Sequence, residues 1–340
     1  MMKLPLESIT NLTPNLKISR VINGMWQVSG AHGYINKEKA IKSMNLHVDN
    51  GFITWDLADH YGPAEDFVKI FREQRDKEQK DPSLEDMNFF TKWVPRPQKI
   101  TRDIVYNAIN ISRRRMGMNS LDMLQFHWWD YQDKNYLKAM AYLDDLRKEG
   151  IISALGLTNF DTKHTEEFLK MGINIVSNQV QYSLIDRRPE QLMAPLCKKY
   201  NLKLLAYGTL CGGLLSEKYL NRSEPDEDQL YTASLYKYKN MIDRWGDWKL
   251  FQELLKTLKK IALKYKVSIA NVAVRYILEN PIVGGAIIGV RLGISEHIEQ
   301  NSRIFKFSLN QDDIEDINRV LSKSKDLLHI IGDCGDEYRR

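Results

Sequence analysis

The chain reads as a (β/α)8 barrel, with a long loop after its seventh barrel strand and an extra helix near its C-terminus. Three observations predict this class. Eight short runs rich in Val, Ile, Leu, Phe and Tyr each end in turn-forming residues. Amphipathic helical segments lie between them, and residues near the strand ends recur about every 21 to 36 positions, the length of a strand-helix-strand unit. Finally, four chemistry-bearing side chains stand at successive strand ends: Asp56 and Tyr61 in DLADHYG, Lys92 in FFTKW and His127 in LQFHWWD. In a parallel barrel such ends converge at the C-terminal mouth.

Taken in order, the strands are VINGMWQ, GFITWD, MNFFTKW, LDMLQFH, ISALGLTN, INIVSNQ, LKLLAYG and GAIIGV. The intervening helices include KEKAIKSMNLHVDN, TRDIVYNAINISRRRMG, KNYLKAMAYLDDLRKEG and RRPEQLMAPLCKKYN, the first stopping at Gly51 and the third at Gly150. GMWQVSG after the first strand is not the GxGxxG of a doubly wound dinucleotide fold. A longer interval of about 80 residues precedes the last strand and holds the helices WKLFQELLKTLKKIALKYK and SIANVAVRYILEN. It also holds an irregular polar stretch, residues 214–246, whose Tyr219, Tyr231, Tyr236, Tyr238 and Trp245 suit a lid over the barrel mouth. QDDIEDINRVLSKSKD forms the extra helix outside the barrel, and residues 1–340 read as one domain.

Composition sets outer bounds. Hydrophobic residues make up 43% and charged residues 27% of 340, as in a protein able to bury a substantial core. The 49 basic and 44 acidic residues are interleaved, net +5, which argues against nucleic acid as the main partner. The densest basic run, Arg113 to Arg115, ends a helix before Gly117, where cations complement the helix dipole. Cys197, Cys211 and Cys334 form no CxxC pair and no disulfide framework, so a reducing, cytoplasmic setting is expected. No apolar run approaches the length of a membrane span, and the first residues lack a secretory pattern.

An acid, a phenol, an amine and an imidazole at one mouth are the parts of a proton-transfer site. Lys92 beside Tyr61 is expected to favour the phenolate and lower the tyrosine's pKa, Asp56 to hold Lys92 charged, and His127 to orient a substrate carbonyl. His60, next to Tyr61, is expected to be a solvated or hydrogen-bonded neighbour. Trp26, Trp93, Trp128 and Trp129 flank these residues and are expected to line an apolar substrate pocket. A rival reading makes Asp56, Asp59, His60 and His127 metal ligands, but it leaves Lys92 and Tyr61 without a role. No metal is therefore expected.

The ordered motifs DLADHYG, FFTKW, SRRRMGMNSLDMLQFHWWD, GLTNF, SNQVQYSL, LLAYGTLCGGLL and GVRLGISEHIEQN resemble those of the aldo-keto reductase superfamily over nearly the whole chain. The resemblance implies reversible carbonyl reduction with a nicotinamide dinucleotide, Tyr61 being the general acid, Lys92 and Asp56 its partners and His127 the carbonyl-orienting residue. It further implies that Asn159 and Gln179 hold the carboxamide, that Tyr207 stacks on the nicotinamide ring, and that Gly24, Met25, Trp26 and Asp56 approach that end. Thr158, Gly208, Thr209, Leu210 and Gly212 belong to the implied cofactor loops, with Gly289, Val290, Arg291 and Asn301 at the final one. Gly208, Gly212 and Gly213 would let backbone amides approach a pyrophosphate, and Ser295 would cap the last cofactor-loop helix. Arg291 offers a planar fork to a 2′-phosphate, which favours NADP(H) over NAD(H).

Gly208 and Thr158 replace serines of the family pattern, and the loop after Gly289 is longer than in many relatives. The implied partner is a small carbonyl compound, and the implied assembly a monomer or small homo-oligomer. An alternative role is that of a nicotinamide-sensing subunit in a larger assembly.

Overall fold

The computed structural model describes residues 4–30 and 33–339. It opens with an antiparallel hairpin, β1 (Ile9–Thr13) and β2 (Leu16–Ser19), which the sequence pattern does not announce. The barrel strands follow: β3 (Val21–Gly24), β4 (Thr54–Asp56), β5 (Asn88–Trp93), β6 (Met123–His127), β7 (Leu155–Thr158), β8 (Ile175–Gln181), β9 (Lys203–Tyr207) and β10 (Val283–Gly289). All eight are parallel neighbours and close in the order β10-β3-β4-β5-β6-β7-β8-β9. Each expected strand is present, and the fold is a (β/α)8 barrel.

The period-2 alternation of the strands divides the core into two shells. Inward side chains Ile22, Phe90, Met123, Leu205 and Ile287 pack together, and Leu12, Leu16 and Ile18 of the hairpin join them. Gly284 near the start of β10 is so close to Leu12 that a Cβ there would lie 2.7 Å from its Cδ2. The hairpin thus seals the N-terminal end of the barrel and leaves the other end to the polar residues. Outward side chains Trp55, Phe89, Phe126 and Leu157 pack against the surrounding helices. Each such burial contributes roughly 1.5–3 kcal/mol.

Helices Lys37–Asp49, Ala64–Glu78, Arg102–Met116, Asn135–Lys148, Thr162–Lys170 and Met193–Tyr200 surround the sheet. Their starts are set by local chemistry, with Asn36, Thr101 and Asp161 each accepting a bond from a first-turn amide. Helix Arg102–Met116 ends at Gly117, φ 63°. Its last-turn Arg115 does more than complement a dipole: the guanidinium bonds Glu65 at 3.0 Å, Asp66 at 2.9 Å and the Asp59 carbonyl at 3.0 Å, bracing the loop that carries Tyr61.

The stretch 214–246 is more ordered than an irregular loop. It contains the turns Glu217–Tyr219 and Glu227–Gln229 and a 13-residue helix, Ala233–Trp245, capped by Thr232. Leu235, Tyr238, Met241, Ile242 and Trp245 bury one face of that helix, which packs on the turn Cys211–Gly213 and on helices Trp248–Tyr265 and Leu327–Ile331. Spacings of three and four residues make it amphipathic, but its polar and aromatic residues hide the stripe in sequence. Beyond the expected helix Gln311–Leu321, the chain forms Leu327–Ile331 and the single turn Asp336–Tyr338. That last turn reaches back to the barrel mouth.

Candidate active site

The strand ends open into one cavity of about 500 Å³, lined by Asp56, Tyr61, Lys92 and His127 together. Asp56, Lys92 and His127 point inward because each lies on the inner parity of its strand, and Tyr61 enters from the loop after β4. Lys92 Nζ donates to Asp56 Oδ2 at 2.6 Å and to the Leu57 carbonyl at 2.7 Å, and lies 5.0 Å from the centre of the Tyr61 ring. Asp56 Oδ1 accepts from Gln125 Nε2 and Gln179 Nε2, both at 2.7 Å. A carboxylate, an ammonium and two amides therefore form one buried layer beneath the mouth. Gln125 was legible in principle, standing two residues before His127 on the same strand face.

Electrostatics revise one expectation. The Tyr61 phenol is pushed well above its ordinary pKa, first by burial and then by the Asp56 carboxylate, instead of being lowered by Lys92. The Lys92 charge is spent on Asp56 and on a carbonyl, so the phenol retains its proton. Desolvation also lowers the Lys92 pKa, while Asp56 holds it up. Burial and the nearby Arg339 and Lys92 cations push His127 down to about 3, so the imidazole is neutral. Its ring lies against Trp129 with centroids 4.4 Å apart, and its Nε2 has no hydrogen-bond partner. His60 binds Asp59 through Nδ1 at 2.8 Å. With Asp56 and Asp59 so engaged, the four rival metal ligands do not converge, and no group of three or more His, Cys, Asp or Glu among the described residues is arranged to hold a metal ion.

The aromatic expectations divide. Trp26 and Trp129 line the cavity. Trp93 and Trp128 do not: they lie outside the sheet, each packed on Phe126 with centroids 5.7 and 5.8 Å away. Each directly follows an inward residue, Lys92 or His127, and strand alternation turns it to the helices.

Of the residues assigned to the cofactor, Gly24, Thr158, Asn159, Gln179, Tyr207, Gly208, Thr209, Leu210, Gly212, Gly289 and Arg291 line the same cavity. Met25 and Val290 lie in the outer core and Asn301 lies away from the lining. The Met25 and Val290 amides instead stitch strand ends together, donating to the Asp56 and Gly24 carbonyls at 2.9 Å. Ser295 caps no helix, since the short helix Ile298–Ser302 starts after His297 and Ser295 pairs with Arg291 across a turn. Gly208, φ 75°, and Gly212, φ 67°, admit helix Ala233–Trp245. A Cβ on the first would lie 2.5 Å from the Tyr238 hydroxyl, and on the second 2.9 Å from the Ser234 backbone. Gly213 has open space at the same point.

Three residues at the mouth carry no signal in the sequence. Tyr338, from the final turn, stands edge-on to His127 and to Trp129 at 6.3 and 5.8 Å and bonds Tyr207 Oη at 3.2 Å. Glu337 accepts from Tyr207 Oη at 3.2 Å and is anchored by buried Arg188 at 3.0 Å. Lys237, on helix Ala233–Trp245, donates to the Tyr338 hydroxyl. The return of the last turn to the barrel brings in Glu337 and Tyr338, and helix Ala233–Trp245 brings in Lys237.

The cavity suits a nicotinamide dinucleotide on its own terms. Buried Thr158 Oγ1, Thr209 Oγ1 and His127 Nε2 face it without partners, and buried polar atoms are rarely left so. Tyr207 offers a ring, and Asn159 and Gln179 offer amides beside it.

The comparisons with known proteins agree with this geometry. The family model "Aldo/keto reductase family" matches residues 20–322. Similar curated proteins include Aldo-keto reductase YhdN of Bacillus subtilis, 24% identical over 91% of this chain and 92% of that one. Glyoxal reductase of the same organism is 24% identical over 92% of this chain and 94% of its own length. Escherichia coli NADH-specific methylglyoxal reductase is 23% identical over 64% of each. Among solved structures, the glycerol dehydrogenase AKR11B4 from Gluconobacter oxydans superposes with TM-score 0.77 at 21% identity, covering 94% of this chain and 96% of that one. The chain belongs to the aldo/keto reductase family and is an oxidoreductase.

Proposed function

We propose that this protein reduces small aldehydes or ketones to alcohols at the expense of NADPH, with Tyr61 as the proton donor. The observation that carries the reading is the joint exposure of Tyr61 and neutral His127 to one cavity, above a Lys92–Asp56 pair that engages neither of their reactive atoms. The nicotinamide, when bound, supplies the hydride to the carbonyl carbon. The chain's own groups manage the oxygen: His127 Nε2 holds the carbonyl oxygen in line, and the Tyr61 hydroxyl donates its proton as negative charge develops there. Lys92 steadies the phenolate left behind until solvent returns the proton, and Asp56 keeps that ammonium in place. Trp26 and Trp129 exclude water around an apolar or aromatic substrate.

Asn159, Gln179, Thr158 and Tyr207 are the groups we assign to the nicotinamide end, and Arg291 to the 2′-phosphate that makes NADP(H) the preferred cofactor. The relatives named as glyoxal and methylglyoxal reductases make small dicarbonyls the first compounds to try. The absence of any helix long and apolar enough to cross a membrane, among the described residues, is consistent with work on a dissolved substrate.

The test follows NADPH consumption with a panel of aldehydes, ketones and dicarbonyls, in wild type and in Tyr61→Phe. We expect turnover to fall by a factor of about 10² to 10⁴ in the variant while cofactor binding persists. Equal turnover in the two proteins would remove Tyr61 from the mechanism.

A further inference from the structure

We propose that Lys237 sets which oxidation state of the nicotinamide this protein retains: its ammonium, caged by three tyrosines at the cavity wall, favours the neutral reduced ring and expels the cationic oxidised one. The inference rests on the reading above, in which the ring stacks on Tyr207. Lys237 Nζ lies 5.0 Å from the centre of the Tyr207 ring, 5.3 Å from Tyr238 and 4.6 Å from Tyr338. It also donates to the Tyr338 hydroxyl. Among the described residues no carboxylate lies within 4.0 Å of it, whereas Lys239, two residues on, pairs with both Glu224 and Asp243. The Lys237 charge is held by aromatic faces and is left unneutralised beside the cavity.

Such a charge acts on whatever rests against Tyr207. Reduced nicotinamide is neutral, while the oxidised ring carries a full positive charge. An ammonium 5.0 Å from the centre of the tyrosine ring on which the nicotinamide would rest, in surroundings of intermediate dielectric and partly screened by salt, would penalise the oxidised form by roughly tenfold in affinity. The opposing charge is Glu337, whose carboxylate accepts from the Tyr207 hydroxyl at 3.2 Å. It meets the rim of the ring instead of its face, and it shares Arg188 with Asp186, each through a 2.8–3.0 Å contact. Lys237 and Glu337 therefore pull in opposite directions, the cation from over the ring and the carboxylate from its hydroxyl edge.

The experiment measures dissociation constants by protein fluorescence for NADPH and NADP⁺, and for NADH and NAD⁺, in wild type, Lys237→Met, Lys237→Arg and Glu337→Gln. Wild type is expected to bind the reduced form about tenfold or more tightly than the oxidised one. Lys237→Met should erase most of that ratio, Lys237→Arg should keep it, and Glu337→Gln should widen it. An unchanged ratio in Lys237→Met, with both affinities weakened alike, would overturn the inference and place the ammonium on the pyrophosphate. If Lys237→Met fails to fold, the Glu337→Gln ratio decides: a ratio that stays put or narrows overturns the inference. Failure of all four dinucleotides to bind wild type would instead overturn the functional reading beneath it.

Discussion

Replacing Asp56 by Asn should destabilise the protein more than replacing Asp56 and Lys92 together. Asp56 and Lys92 are 3% and 2% exposed, and their 2.6 Å contact is the centre of the polar layer under the mouth. The carboxylate accepts from three donors, Lys92, Gln125 and Gln179. An asparagine has one acceptor oxygen, so whichever way it turns, its NH2 group confronts either the ammonium or the two amides. With the NH2 group turned to Lys92, that ammonium keeps only the Leu57 carbonyl, and with it turned the other way the two glutamine amides lose their acceptor. Stranding a buried charge in this way costs about 3–5 kcal/mol. The double variant Asp56→Asn/Lys92→Met removes both charges, lets the asparagine oxygen face the two glutamine amides and leaves the Leu57 carbonyl unmet, a cost of about 1–2 kcal/mol. Urea unfolding of wild type, Asp56→Asn, Lys92→Met and the double variant, followed by circular dichroism at pH 7 with a common m-value, gives the four free energies. Additive losses, with the double variant less stable than either single one, would refute the argument that the pair exists to neutralise itself.

The neutral His127 predicts a pH response. Its folded pKa lies near 3, below the ordinary 6.5, so the unfolded chain binds the extra proton and stability is present above about pH 6.5 and declines as pH falls toward 3. That single group should account for about 2 kcal/mol between pH 7 and pH 5, a slope that His127→Gln abolishes in pH-dependent unfolding. The His127 ring protons should show no titration by NMR between pH 5 and pH 8, and a midpoint near 6.5 would contradict the burial argument. Gly208→Ala places a Cβ at φ 75° and 2.5 Å from the Tyr238 hydroxyl, so helix Ala233–Trp245 must shift. We expect a loss of about 1–3 kcal/mol and an unfolding midpoint lower by several degrees in calorimetry. An unaltered midpoint would show that the helix seat is not tight.

How far the site could be read from sequence follows from how each residue reaches it. Asp56, Lys92 and His127 were legible because the strand-helix repeat fixes where a strand ends, and strand ends of a parallel barrel meet. The same rule, applied one residue further, would have turned Trp93 and Trp128 outward, since a strand side chain and its neighbour face opposite ways. Ser295 was misplaced because its backbone pairs with Arg291 in a turn, which delays the helix to Ile298. Lys237 lay in a helix whose apolar stripe is broken by Tyr236 and Lys239. Tyr338 was beyond reach. Its turn is three residues long, and the contacts that fix it, among them the Glu337–Arg188 ion pair and the Arg339 bond to the Trp128 carbonyl at 2.8 Å, join residues more than a hundred positions apart in sequence. The rise in the Tyr61 pKa is likewise a property of burial depth, which a list of neighbouring charges omits.

The final turn has a practical consequence for anyone handling this protein. Tyr338 touches Tyr207, and Arg339 lies 4.0 Å over the Tyr131 ring while binding the Trp128 carbonyl. A purification tag or reporter fused at the C-terminus therefore leaves the chain within a couple of residues of the cavity and pulls on its wall. The β1–β2 hairpin sits at the opposite pole of the barrel. A tag fused before the hairpin keeps its bulk away from the chemistry, and comparing the two fusions with untagged protein reports how much of the affinity for nicotinamide depends on the Asp336–Tyr338 turn and Arg339.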